Sequence, residues 1–158
     1  MGALESQIKM MDMLAASEEA ISRLYAVYAD KFAEHKDFWA GLSVEELDHA
    51  RWIREVEDKM KDEISYFDWT RISGDSIETF IDYVDGQAAK AKAKPVLASE
   101  AFFIANDIEN SMIENKWFEA CKGDSLTFQR LVFDLGQATA RHREQLSKFS
   151  NMSKKGDS

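Results

Sequence analysis

The chain has 158 residues, with 20 basic and 29 acidic side chains and a formal charge of −9. One domain is expected at this length, and a chain of about 150 residues buries roughly 70% of its unfolded surface, so no covalent staple is needed. The acidic balance argues against a nucleic-acid binder, the single cysteine, Cys121, excludes a disulfide framework or a Cys-x-x-Cys zinc or iron–sulfur knuckle, and the lack of a signal peptide or a membrane-length apolar run points to a soluble, cytoplasmic protein away from membranes.

Gly2 and Ser6 fit the loose N-myristoylation pattern, which is too short to carry weight. One proline and seven glycines in the whole chain suit long helices, because proline lacks the amide donor and glycine costs backbone entropy. No run of alternating β-branched residues marks a strand, so an all-α fold is expected. The first helix is read over residues 4–34, with the stripe Met11, Leu14, Glu18, Ile21, Tyr25, Tyr28 and Phe32 at the alternating three- and four-residue spacing of a bundle helix. The second covers residues 36–62, with the stripe Phe38, Leu42, Glu46, His49, Ile53, Val56 and Met60.

A connection over residues 63–94 holds a shorter helix near 76–89, entered through Ser73, Gly74 and Asp75; Lys90, Lys92 and Lys94 mark a solvated face. Pro95 suits the first turn of a third long helix over residues 95–122, with Phe102, Asn106, Glu109, Ile113, Trp117 and Ala120 facing inward. Gly123, Asp124 and Ser125 break the chain before a fourth helix over 125–149, with the stripe Leu131, Leu135, Thr139, His142, Leu146 and Phe149. Residues 1–149 form the domain, and 150–158 read as a frayed polar tail. Short links make the first and second helices, and the third and fourth, antiparallel neighbours. The long link crosses over, giving a four-helix bundle with one crossover carrying a short extra helix.

Five stripe residues are ionisable: Glu18, Glu46, His49, Glu109 and His142. An ionised carboxylate is costly to bury unless it is paired or binds a metal. Glu46 and His49, three residues apart, share one helical face, and carboxylate oxygen with imidazole nitrogen suits iron or manganese. Each residue also has a plainer reading. Glu46 could close a capping box begun at Ser43. Glu18 could face outward if Glu19 turned in, Glu109 could pair with Lys116, and His142 could be a hydrogen-bonded core histidine. Taken jointly, five ligand-type residues at matching depths on four helices favour a metal site.

Glu18, the run Glu45-Glu46-Leu47-Asp48-His49-Ala50, Glu109 and His142 resemble the ferritin-like di-iron carboxylate proteins, and most closely the rubrerythrin branch, over residues 4–149. The family pattern is a Glu from each of two helices and a Glu-x-x-His from each of the other two. The resemblance implies a ferritin-like bundle and two iron ions, with one ion or manganese as alternatives. Glu18 and Glu109 would be terminal ligands, Glu46 a bridge, His49 and His142 would hold one metal each, and Tyr25 would hydrogen-bond behind them. The implied activity is a non-haem oxidoreductase acting on peroxide, oxygen or ferrous iron.

The sequence departs from the pattern in two ways. Thr139 stands where the fourth helix should carry its Glu, which leaves a degenerate site that handles metal without turnover, or a structural bundle, as alternatives. No rubredoxin-like tail is present, so an enzyme would need a separate electron donor. Four tryptophans, Trp39, Trp52, Trp69 and Trp117, exceed what four stripes absorb, and a homodimer is expected from the surplus aromatic surface.

Overall fold

The computed structural model describes residues 3–62, 65–67, 74–111, 121–123 and 126–156. Helix α1 spans Ala3–Lys31, with Glu5 in its first turn and Lys31 in its last, each opposite in sign to the partial charge of that helix end. Phe32, at φ −115° and ψ 84°, leaves the helical region, and Ala33–His35 forms one 3-10 turn. Helix α2 follows at once over Lys36–Asp62. So tight a link makes α1 and α2 antiparallel neighbours, and theirs is the most extensive helix pairing among the described residues. Small residues let them approach closely: the Ser22 hydroxyl reaches the Ser43 carbonyl at 2.8 Å, and the Ser43 hydroxyl reaches the Ser22 carbonyl at 2.8 Å.

Helix α3, Gly74–Ala93, is longer at both ends than the stretch read from the sequence. It packs on α1 through Ile77, Val84, Ala88 and Ala91, and Arg23 of α1 holds Asp85 at 3.0 Å. The helix closes with a bond from the Lys94 amide to the Lys90 carbonyl, and Pro95 then blocks continuation. Pro95 therefore ends one helix instead of starting the next. Helix α4 is Ala98–Glu109, entered through extended Leu97.

The third helix was expected to reach residue 122, but α4 ends at Glu109 with Asn110 as its C-cap. The Asn110 side-chain amide and backbone N–H both donate to the Asn106 carbonyl, at 2.8 and 3.0 Å. Ile113, Trp117 and Ala120 lie outside the described residues. Further on, strand β2, Cys121–Gly123, pairs antiparallel with β1, Ser65–Phe67, with Tyr66 opposite Lys122. No strand was expected, and three residues are too few to carry a period-two pattern.

Helix α5 runs over Leu126–Gly156, so the helix continues through most of the segment read as a frayed tail. The described residues thus form a helical bundle of α1, α2, α4 and α5, with α3 on the crossover and one small two-stranded pairing. None of its helices is long and apolar enough to cross a membrane.

Trp39 occupies the centre of the core. It is fully buried, with ring centroids of Tyr28, Phe102, Phe38 and Tyr25 at 4.9, 5.1, 5.3 and 5.5 Å. Phe38 stacks on Phe149 of α5 at 3.9 Å, which ties the last helix to the first pair. Of the four tryptophans, which together exceed what the stripes absorb, Trp39 is therefore core. Trp52 is half-buried, and Trp69 and Trp117 lie outside the described residues. Trp39→Ala removes the ring around which three helices are packed and should cost about 3–5 kcal/mol; urea unfolding of parent and variant measures the difference.

Candidate metal centre

The 3.6-residue period turns Glu18 inward on α1, with Ile21 and Tyr25 one and two turns on. Glu18 is buried, whereas its neighbour Glu19 is bound at 2.6 Å by Arg54 on the outer face. The rotated alternative for α1 is thereby excluded. On α2, Glu46 and His49 are both buried. Ser43 lies inside that helix and bonds to α1, so Glu46 does not close a capping box. Glu109, at the end of α4, and His142, in mid α5, are each 1% exposed. Glu109 meets Tyr25 and His142; Lys116 lies outside the described residues.

These side chains converge. Glu46 faces both histidines: its Oε2 is 3.2 Å from His49 Nδ1 and its Oε1 is 2.8 Å from His142 Nδ1. Glu18 Oε2 stands 3.7 Å from His49 Nδ1, and Glu109 Oε1 stands 3.2 Å from His142 Nδ1. Two half-sites result, Glu18 with His49 and Glu109 with His142, and Glu46 lies between them. Tyr25 donates its hydroxyl to Glu109 Oε1 at 2.8 Å, which fixes that carboxylate from behind.

The donor set fits a divalent cation better than it fits itself. Glu18 Oε2, Glu46 Oε1, Glu109 Oε2 and both nitrogens of His142 are buried and make no hydrogen bond. The short His142 contacts are within ion-pair reach but lack hydrogen-bond angles. So many unsatisfied buried atoms at one place call for an ion or a water. Glu46, His49 and His142 each offer an atom within 4.8 Å of the other two. Ligand atoms about 2.2 Å from one tetrahedral ion stand about 3.6 Å apart, so these side chains would adjust their positions to close on a cation. Glu57 is also buried on α2, but its carboxylate is not part of this group.

The electrostatics follow from burial. Burial, then the charge of Glu46, pushes the Glu18 carboxyl up to about 8. Burial, then the charge of Glu109, raises Glu46 to about 8. Burial also acts to raise Glu109, but the His142 ring outweighs it, with help from Glu46 and Tyr25, and holds Glu109 below the ordinary carboxylate value. Burial acts to lower His142, and the Glu109 and Glu46 carboxylates override it and lift the ring to about 11. In the metal-free protein, protons take the place of cations.

A cleft of about 400 Å³ between α2 and α5 opens onto His49, lined by Glu45, Asp48, Trp52, Arg141 and Gln145. Thr139 is buried on the same face of α5 as His142. Sequence reasoning had not singled out Glu45, whose carboxylate reaches His142 Nε2 at 3.4 Å from the cleft side. Its one sequence signal is its place beside Glu46, at the edge of the inward face and not on it.

Compared with family models, curated proteins and solved structures, the chain matches none of them.

The raised carboxyls predict a pH dependence for the metal-free protein. Glu18 and Glu46 release their protons near 4.5 when unfolded but near 8 when folded. The folded state therefore holds more protons across that interval, and stability falls as pH rises through it. His142 adds the same sign above 6.5, because its folded value is about 11. Glu109, shifted down, acts oppositely, and its contribution is lost only as pH falls below 4.5. The melting temperature of chelator-treated protein should therefore drop between pH 4.5 and about 8, and Glu18→Gln should flatten that slope.

Proposed function

We propose that the chain is a ferritin-like, non-haem di-metal protein of rubrerythrin type. In this reading it reduces peroxide or oxygen, or oxidises ferrous iron, inside the bundle. The observation that carries it is the Glu46 carboxylate, which offers one oxygen to each of two histidine–carboxylate half-sites. Glu18 and His49 would hold one iron, Glu109 and His142 the other, with Glu46 between them; manganese uses the same donors. Bound iron would supply electrons to an O–O bond.

The chain's own residues do the rest. Tyr25 orients Glu109, the aromatic cluster around Trp39 keeps water from that side, and the cleft beside His49 admits a small polar molecule. As an enzyme the chain would draw its electrons from a separate protein.

Thr139 favours a second reading. Three carboxylates do not balance two divalent cations, and the threonine at this buried position is neutral. A site that binds one metal firmly and a second weakly, handling iron without turnover, agrees with that charge deficit.

Anaerobic metal-to-protein stoichiometry tests both readings. Glu46→Ala and His49→Ala should each lose most bound iron or manganese, and Thr139→Glu should strengthen binding of a second metal, because it adds a carboxylate one turn before His142. Equal binding by all four proteins would leave only a structural bundle. Ferrous or manganous ion should also raise the parent's melting temperature by mass action, and consumption of peroxide by the iron-loaded protein separates enzyme from binding protein.

The homodimer is part of the same proposal. Phe103 on α4 and Phe133 on α5 are 73% and 63% exposed, which supplies apolar surface for a second copy. Light scattering at micromolar concentration should give twice the chain mass, and Phe103→Ser with Phe133→Ser should return it to one.

A further inference from the structure

His142 presents its two ring nitrogens to opposite surroundings. Nδ1 looks into the bundle, 2.8 Å from Glu46 Oε1 and 3.2 Å from Glu109 Oε1. Nε2 looks outward to Glu45 Oε2 at 3.4 Å. Both nitrogens are buried and neither makes a hydrogen bond.

A neutral imidazole that binds a cation through one nitrogen carries its proton on the other, and that N–H needs an acceptor to fix the tautomer and the ring plane. We infer that Glu45 is the positioning residue of His142: its carboxylate accepts the Nε2 proton, so that the Nδ1 lone pair faces the cation site. This assignment rests on the metal reading above.

Three observations support it. First, the contact is long by about 0.2 Å for a hydrogen bond, but Glu45 has room to close it, because its side chain is 44% exposed and borders two open clefts. Second, Glu45 and Glu46 are consecutive, so one turn of α2 grips the ring from both sides: Glu46 at the nitrogen that faces the site and Glu45 at the nitrogen that faces the cleft. Third, Nε2 is buried and makes no hydrogen bond, and the Glu45 carboxylate stands beside it as an acceptor. Glu45 touches no reacting atom, and its effect passes through His142.

The test uses the full chain with zinc, a diamagnetic probe for nitrogen-15 NMR of labelled histidine. In the parent, His142 should show a metal-bound Nδ1 and a protonated Nε2. Glu45→Ala should weaken zinc about 10- to 100-fold against a chromophoric chelator, with the Nε2 proton signal lost to exchange. Glu45→Gln keeps an acceptor and should restore both the tautomer and most of the affinity. Circular dichroism melts of the metal-free variants show that the bundle is intact, as expected for a half-exposed side chain. If Glu45→Ala keeps the parent's affinity and tautomer, the assignment is overturned and the metal reading stands. If Glu45→Gln fails as badly as Glu45→Ala, charge and not hydrogen bonding matters, and the assignment is again overturned. A parent that binds no zinc, iron or manganese overturns both.

Discussion

The Glu46 carboxylate lies between two histidines in a fully buried position, and most of the surrounding structure can be understood from what that requires. A buried carboxylate is tolerated only where positive charge or a shared proton meets it. His49 reaches one oxygen from the next turn of the same helix, and His142 reaches the other from α5. Those two rings then need acceptors of their own, which brings in Glu18 from α1 and Glu109 from α4. The bundle helices α1, α2, α4 and α5 each contribute a polar group to it, while Met11, Leu14, Val56 and Leu146 are buried along the same helices.

Such an arrangement costs the fold stability. Replacing a buried ionic cluster by well-packed apolar residues is often neutral or stabilising, whereas removing one member leaves an uncompensated charge. The metal-free chain relieves the strain by retaining protons on Glu18 and Glu46 and by charging His142. Cations of charge two are better suited to that task than protons, because each can take several carboxylate oxygens at once. The aromatic cluster contributes from the other side: Tyr25 touches both Trp39 and Glu109, so the polar centre and the apolar core share one residue.

Much of this was legible in the sequence because long helices repeat their pattern many times. Six of the seven residues on the α1 stripe are buried, including Glu18, and Leu42, Glu46, His49, Ile53 and Val56 are buried on α2. The choice between Glu18 and Glu19 stayed open in the sequence, and it is decided by Arg54, which holds Glu19 on the outer face. The misreadings fall where a local bond decided the outcome. Asn110 caps α4, and its side-chain bond to Asn106 is a contact that no periodicity reports. Pro95 is compatible with either side of a helix boundary, and only the preceding turn shows which. Glu45 was passed over because residues at the edge of a face are judged by the neighbour across the groove, here His142, which lies 97 positions away in the chain.

The two reciprocal hydroxyl bonds between Ser22 and Ser43 act as an indexing pin. Ser22 is one turn beyond Glu18 on α1, and Ser43 is one turn before Glu46 on the antiparallel α2, so the pin and the donor pair sit on adjacent rungs. Apolar surfaces are nearly indifferent to sliding, and a slip of one turn would displace the two helices by about 5.4 Å along their axes. That is more than enough to pull Glu18 away from His49. A pair of hydroxyls with matched carbonyls resists such a slip, because both bonds would be lost. The accuracy of the polar centre is therefore set one turn away from it, by two of the smallest side chains in the bundle.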